Sequence, residues 1–183
     1  MFSWRGRGLE CLSVGGKRPV RFRASITTKR TRLLRRIEEA DLDPSQLELE
    51  VTETTLFESS SYALGTLDAL RAAGLRVALD DFGTGYSSLR HLHNVAVDRV
   101  KIDQSFVAGL GRSIESAAII SAVIQLGHSM GLQITAEGVE TAAQRDFLME
   151  AGCDELQGYL FAKPMTEEDL VVLLDGNGIS FAA

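Results

Sequence analysis

From Leu47 onward the chain repeats one pattern five times: a short strand-like run with charged or amide groups near its C-terminal end, then a helical stretch. The strand-like runs are Leu47 to Glu53, Leu75 to Asp80, Asp98 to Asp103, Leu132 to Glu137 and Leu156 to Phe161. In the first of them Glu48, Glu50 and Thr52 alternate with apolar residues and share one face, the period-two signature of a strand. Ahead of it, Leu33, Leu34 and Ile37 mark a helix that ends near Asp41, with Pro44 beyond. Leu64, Leu67 and Leu70 mark the next helix, which stops at Gly74. A short helix from Ser87, a long apolar one from Ser116 to Met130, and one running from the capping-box pair Thr141 and Gln144 to Ala151 follow, and Thr166 caps a terminal helix. Such alternation predicts a parallel sheet with helices packed outside it. Glu50, Asp80, Asp81, Lys101, Glu137 and Gln157 keep one phase, at the C-terminal ends of their strands. In a parallel barrel those ends form the active face. An open doubly wound sheet would carry a G-x-G-x-x-G turn after its first strand, and that turn is missing. The pattern therefore favours a barrel.

The stretch with the most chemistry is V-A-L-D-D-F-G-T-G-Y-S-S-L, Val77 to Leu89. Two adjacent carboxylates at the end of a buried strand need a partner, because burying unpaired charge is costly. Oxygen ligands of this kind suit a divalent cation; solvated acids on a strand-end turn are the plainer alternative. The recurrence of carboxylates, a lysine and a glutamine at the same place in the other units favours a hard-cation site. Zinc fits less well, since His91, His93 and His128 do not stand at strand ends and Cys153 is alone. Two such ions about 3.5–4 Å apart suit phosphodiester hydrolysis, because they stabilise both the attacking and the leaving oxygen.

At 183 residues one domain is expected, with a sizeable core. The net charge of −6 hides a split: residues 1–36 carry +10 and residues 37–183 carry −16. The basic residues 1–30 read as a solvated leader rather than a nucleic-acid arm, and Val20 to Ile26 alternates like a strand. No nucleic-acid polymer is expected as a partner. Cys11 and Cys153 form no disulfide framework, and no apolar run is long enough to span a bilayer. A cytoplasmic location follows as the expectation.

The segments E-L-E-V-T-E-T, V-A-L-D-D-F-G-T-G-Y-S-S-L, D-R-V-K-I-D-Q-S-F-V, T-A-E-G-V-E-T and L-Q-G-Y-L-F-A-K-P, in this order and spacing, resemble the EAL domain family. That family comprises bacterial phosphodiesterases that open cyclic di-GMP to linear pGpG with Mg2+ or Mn2+. The resemblance covers about Thr31 to Leu174, after the leader and before a tail at 175–183. It implies a TIM-type (βα)8 barrel, of which the last five to six units are present. It also implies roles for individual residues. Glu50 looks like a ligand of the first metal, Asp80 like the acid shared by both, and Asp81 like a ligand of the second. Lys101 corresponds to the lysine that holds the attacking water. Glu137 matches the glutamate at that water and its metal, with Glu140 supporting the loop. Gln157 and Gly158 correspond to metal-shell and nucleotide-side positions, and Pro164 lies where a guanine packs. The loop Phe82, Gly83, Thr84, Gly85, within the stretch from Asp81 to Ser88, resembles the one that couples the metal site to homodimerisation.

The sequence also departs from the family. The Glu-Ala-Leu tripeptide occurs nowhere, and neither asparagine, Asn94 or Asn177, stands where the family's third-strand asparagine completes the first metal site. The expectation is a first metal site lacking two ligands and weak turnover. The alternative is a degenerate domain that binds nucleotide or protein without catalysis.

Overall fold

The computed structural model describes residues 20–23, 30–52, 61–83 and 97–166; the readings made for Thr84, Gly85, the helix from Ser87, His91, His93, the terminal helix and the tail lie outside them. Among the described residues, six strands and five α-helices follow in the order β1 (Val20–Arg23), α1 (Arg30–Glu39), β2 (Leu47–Thr52), α2 (Ser61–Ala72), β3 (Arg76–Phe82), β4 (Arg99–Ile102), α3 (Gln104–Ala108), α4 (Ile114–Ser129), β5 (Gln133–Ala136), α5 (Ala142–Glu150) and β6 (Glu155–Leu156). All neighbouring strands pair in parallel, and their order across the sheet is their order in the chain. Sequential parallel order is the arrangement of an arc of a βα barrel rather than of a doubly wound sheet, whose order reverses.

Alternation along each strand sorts the side chains. Leu49, Val51, Val77, Leu79, Val100, Ile102 and Ile134 join one apolar core with Ile37, Leu67, Leu70, Val107, Ile120, Ile124 and Leu148 of the segments packed outside. The intervening positions, Glu48, Glu50, Arg99, Lys101 and Thr135, face the inside of the arc. Local signals end the elements as expected. Asp103 caps α3 by accepting the Ser105 N–H, and Ser113 caps α4 by accepting that of Ser116. At α5 the capping box is complete: Thr141 Oγ1 accepts the Gln144 N–H, and Gln144 Oε1 accepts that of Thr141.

One strand reading is borne out within the described residues and one changes. The first strand, in the basic leader, is real and pairs Val20 to Arg23 with Leu47 to Glu50. The last one is much shorter than the run Leu156 to Phe161 suggests. After Leu156 the ladder continues only to the Gln157 N–H, which donates to the Ala136 carbonyl at 2.8 Å. The chain then turns, with the Phe161 N–H bonded to the Gly158 carbonyl. Beyond Leu156 the backbone bonds to Val139 of the β5–α5 loop, whose N–H donates to the Gln157 carbonyl and whose carbonyl accepts from Leu160, and Gly158 packs so closely against Val139 that a Cβ there would collide.

Candidate active site

Four strands deliver the site. Glu50 from β2, Asp80 and Asp81 from β3 and Lys101 from β4 meet Glu137, which follows β5 directly. Lys101 is nearly fully buried, and its Nζ lies 2.7 Å from Glu50 Oε1, 3.1 Å from Asp80 Oδ1 and 2.5 Å from Glu137 Oε1. Burial alone would pull the ammonium's pKa down. Glu137, Glu50 and Asp80 outweigh it and push it above its ordinary value. The lysine is therefore a permanent cation. Glu137 shows the opposite balance: burial raises its carboxyl above the ordinary range more than Lys101 lowers it, with Asp80 and Glu50 adding to the rise.

Asp80 and Asp81 are neighbours in a strand, and regular alternation would aim them at opposite faces. The register of β3 on β4 shifts between Leu79 and Phe82, and Asp81 takes a φ of 55°. This bulge resets the parity. Leu79 and Phe82, three positions apart, both enter the apolar core, while both aspartates are left on the site. As a result carboxylate oxygens of Asp80, Asp81 and Glu137 all lie within 4.8 Å of one another. Three converging anionic oxygens, with no nitrogen or sulfur donor, suit a hard divalent cation. Asp81's left-handed backbone is the conformation that aspartate and asparagine tolerate best among residues with a Cβ.

The remaining predicted residues are placed differently. Glu50 is turned onto Lys101 and is not one of the three clustered carboxylates. Glu140 is exposed and also stands outside that cluster; its backbone N–H donates to Gln144 Oε1 at 2.9 Å. Gln157 is half-buried, its backbone bridging the Ala136 carbonyl and the Val139 N–H. Gly158 has a packing reason, given above, and Pro164 is exposed. Phe82 is core, and Gly83 opens the loop in the left-handed region, with φ 95°.

The sequence showed Gln144 only as half of a capping box, not as the residue that holds the Glu137 loop. Gln144 accepts the N–H groups of Glu140 and Thr141 and donates to the Val107 carbonyl of α3 at 3.1 Å. Gly138 has φ 71°, and a Cβ there would come within 2.5 Å of Gln104 Cβ. The loop is thus seated directly on α3, which follows the lysine strand. Only the glycine after Glu137 hinted at this close approach.

The chain is similar to known proteins in sequence and in fold. The family model of the EAL domain matches residues 21–164. The bifunctional diguanylate cyclase/cyclic di-GMP phosphodiesterase MucR of Pseudomonas aeruginosa is 46% identical over 130 residues, which are 71% of this chain and 19% of that protein. The chain spans less than a fifth of the length of the curated relatives it matches first. Among solved structures, the EAL domain of Mycobacterium smegmatis DcpA superposes with a TM-score of 0.81 at 36% identity, over 88% of this chain and 74% of that one. A manganese and cyclic di-GMP complex of Klebsiella pneumoniae BlrP1 superposes with a TM-score of 0.76 at 32% identity, over 81% of this chain and 40% of that one.

Proposed function

The chain belongs to the EAL domain family, and we propose that it is a phosphodiesterase domain for cyclic di-GMP, giving linear pGpG in bacterial second-messenger signalling. The observation that carries this reading is the convergence of Asp80, Asp81 and Glu137 around one point, with the buried Lys101 ammonium beside them. Asp80, Asp81 and Glu137 would hold a divalent cation, Mg2+ or Mn2+, and Glu50 and Gln157 would contribute to the neighbouring positions. When bound, the ion polarises the phosphodiester and neutralises charge on its oxygens. Lys101, held charged by three carboxylates, supplies a fixed positive charge where negative charge develops on the reacting oxygens. Glu137, with its carboxyl raised by burial, is suited to take a proton from a water at its Oε atoms. Glu140 supports the loop through its backbone bond to Gln144, and Gly158 and Pro164 border the nucleotide side. The loop from Asp81 to Ser88, including Thr84 and Gly85, would form the homodimer contact. A cytoplasmic location fits, and among the described residues no helix is long and apolar enough to cross a membrane.

The family's Glu-Ala-Leu glutamate and third-strand asparagine have no counterpart in these 183 residues. One transition-state contact of this electrostatic kind is commonly worth about 10²–10³ in rate. Turnover by these residues alone is therefore expected near the detection limit, while metal and nucleotide binding persist. This observation favours a second reading, a domain that binds cyclic di-GMP without consuming it. Chromatographic measurement of pGpG release with Mn2+ present separates the two. Fusion of a family-type N-terminal third at Thr31 should restore release, and Asp80→Asn in the fusion should abolish it. Absence of both cyclic di-GMP binding and Mn2+ binding would sink both readings.

A further inference from the structure

Beneath the carboxylate cluster lies a second polar layer that the proposed chemistry does not use. Arg99 is only 1% exposed, on the inner face of β4. Its Nε lies 3.0 Å from Glu48 Oε2, and its Nη1 lies 2.5 Å from Glu155 Oε2. Nη1 also donates to Thr135 Oγ1 at 2.7 Å, and Nη2 donates to Gln133 Oε1 at 2.8 Å. The partners come from β2, β5 and β6, so one guanidinium joins four strands.

The positions of these residues are systematic. Glu48 stands two before Glu50, Arg99 two before Lys101, Thr135 two before Glu137, and Glu155 two before Gln157. Residues two apart in a strand share a face and lie about 6.6 Å apart along it. Glu48, Arg99, Thr135 and Glu155 therefore each precede, on their own strand, a residue of the site above. The strands are staggered in register, Arg99 pairing with Gln133, Lys101 with Thr135 and Thr135 with Glu155, so the guanidinium reaches its partners across the stagger.

Barrel interiors are ordinarily filled by bulky branched side chains. Replacing such a filling with buried ions brings little or no net stability, because desolvation offsets the attraction. What the ions add is direction. The guanidinium is a planar fork with five donors at fixed angles, whereas apolar side chains tolerate small slips between strands.

We propose that Arg99 is a positioning residue: its ion pairs with Glu48 and Glu155 and its hydrogen bonds to Thr135 and Gln133 set the spacing of β2, β4, β5 and β6, and hence the geometry of Lys101 and the metal-holding carboxylates one layer above. This inference rests on the metal-dependent reading of the upper layer and deepens it.

The test removes the ions together. In the variant Glu48→Gln/Arg99→Met/Glu155→Gln the volume is nearly kept and no charge is left buried alone. Its thermal midpoint should equal or exceed that of the parent chain. Its Mn2+ affinity, followed by electron paramagnetic resonance of the free ion, should fall about 10- to 100-fold, the range seen for groups behind metal ligands. A folded variant with unchanged Mn2+ affinity would overturn the proposal. So would a variant that no longer folds, because the layer would then serve the fold itself. If the parent chain binds no Mn2+, the metal reading fails, and the proposal is judged on the metal-free protein. There the Lys101 ammonium should give a slowly exchanging 15N NMR signal that is absent from Lys101→Met. The triple variant should shift or lose that signal, and an unchanged signal would overturn the proposal on its own.

Discussion

The two faces of this sheet carry opposite chemistry, although they alternate residue by residue along the same strands. Toward the helices, Leu49, Val51, Val77, Leu79, Val100, Ile102 and Ile134 form a dry apolar layer. Toward the inside of the arc, Glu48, Asp80, Arg99, Lys101 and Thr135 are just as buried. Burial on the first face lowers free energy through the hydrophobic effect. On the second it raises free energy unless each charge meets its counterpart. The outer face therefore tolerates exchange of one apolar residue for another of similar volume. The inner face does not, because each group there is defined by a specific partner.

The largest effect should come from breaking the inner face at its cation. Lys101→Met leaves Glu50, Glu137 and the fully buried Asp80 facing one another without a positive charge. Removing one partner of a buried ionic cluster typically costs about 3–5 kcal/mol. Urea unfolding should show a loss of that size, and a loss below about 1 kcal/mol would mean that the carboxylates are not charged together.

An outer-face counterpart is Leu79→Ala, at a residue with no exposed surface. Deleting a buried leucine side chain costs about 2–5 kcal/mol. The comparison sharpens if the surviving folded protein keeps its parental Mn2+ affinity. A change in affinity would show that the two faces are coupled through the strand.

A smaller effect concerns pH. In the metal-free fold Glu137 holds its proton more tightly than in the unfolded chain, chiefly because it is buried. Its contribution to stability is then fully present below the ordinary carboxylate range. It is lost as pH rises through the raised folded value. Glu137→Gln cannot ionise, so denaturation measured from acid to neutral pH should show a flatter profile for the variant than for the parent. Identical profiles would contradict the burial argument. Lys101 is also raised, so its contribution is lost only above the ordinary lysine range and does not disturb this window.

The smallest effect belongs to neither face. Ile114, at the start of α4, is 91% exposed. Ile114→Ser should change stability by no more than about 0.5 kcal/mol. A larger loss, read from the same urea midpoints, would indicate that this side chain is covered in solution.

The sequence by itself determined the alternation of strands and helices, the parallel sheet and the strand-end position of Glu50, Asp80, Lys101 and Glu137. Those features follow from period-two and helical patterning and from caps such as Thr141 with Gln144. All of them act within a few residues and can be read along the chain. The tertiary structure alone decided which side chains meet. That Asp80 and Asp81 both face the site depends on a bulge whose position is set by pairing with β4. That the chain past Leu156 bonds to Val139 of the β5–α5 loop, instead of extending the ladder, depends on a close approach that only a glycine at 158 allows. Glu50 lies 51 positions from Lys101, and Gln133 lies 34 from Arg99. Contacts at such separations are set by the register between strands. Shifting a strand by one residue would send its whole polar set to the other face without altering its local pattern.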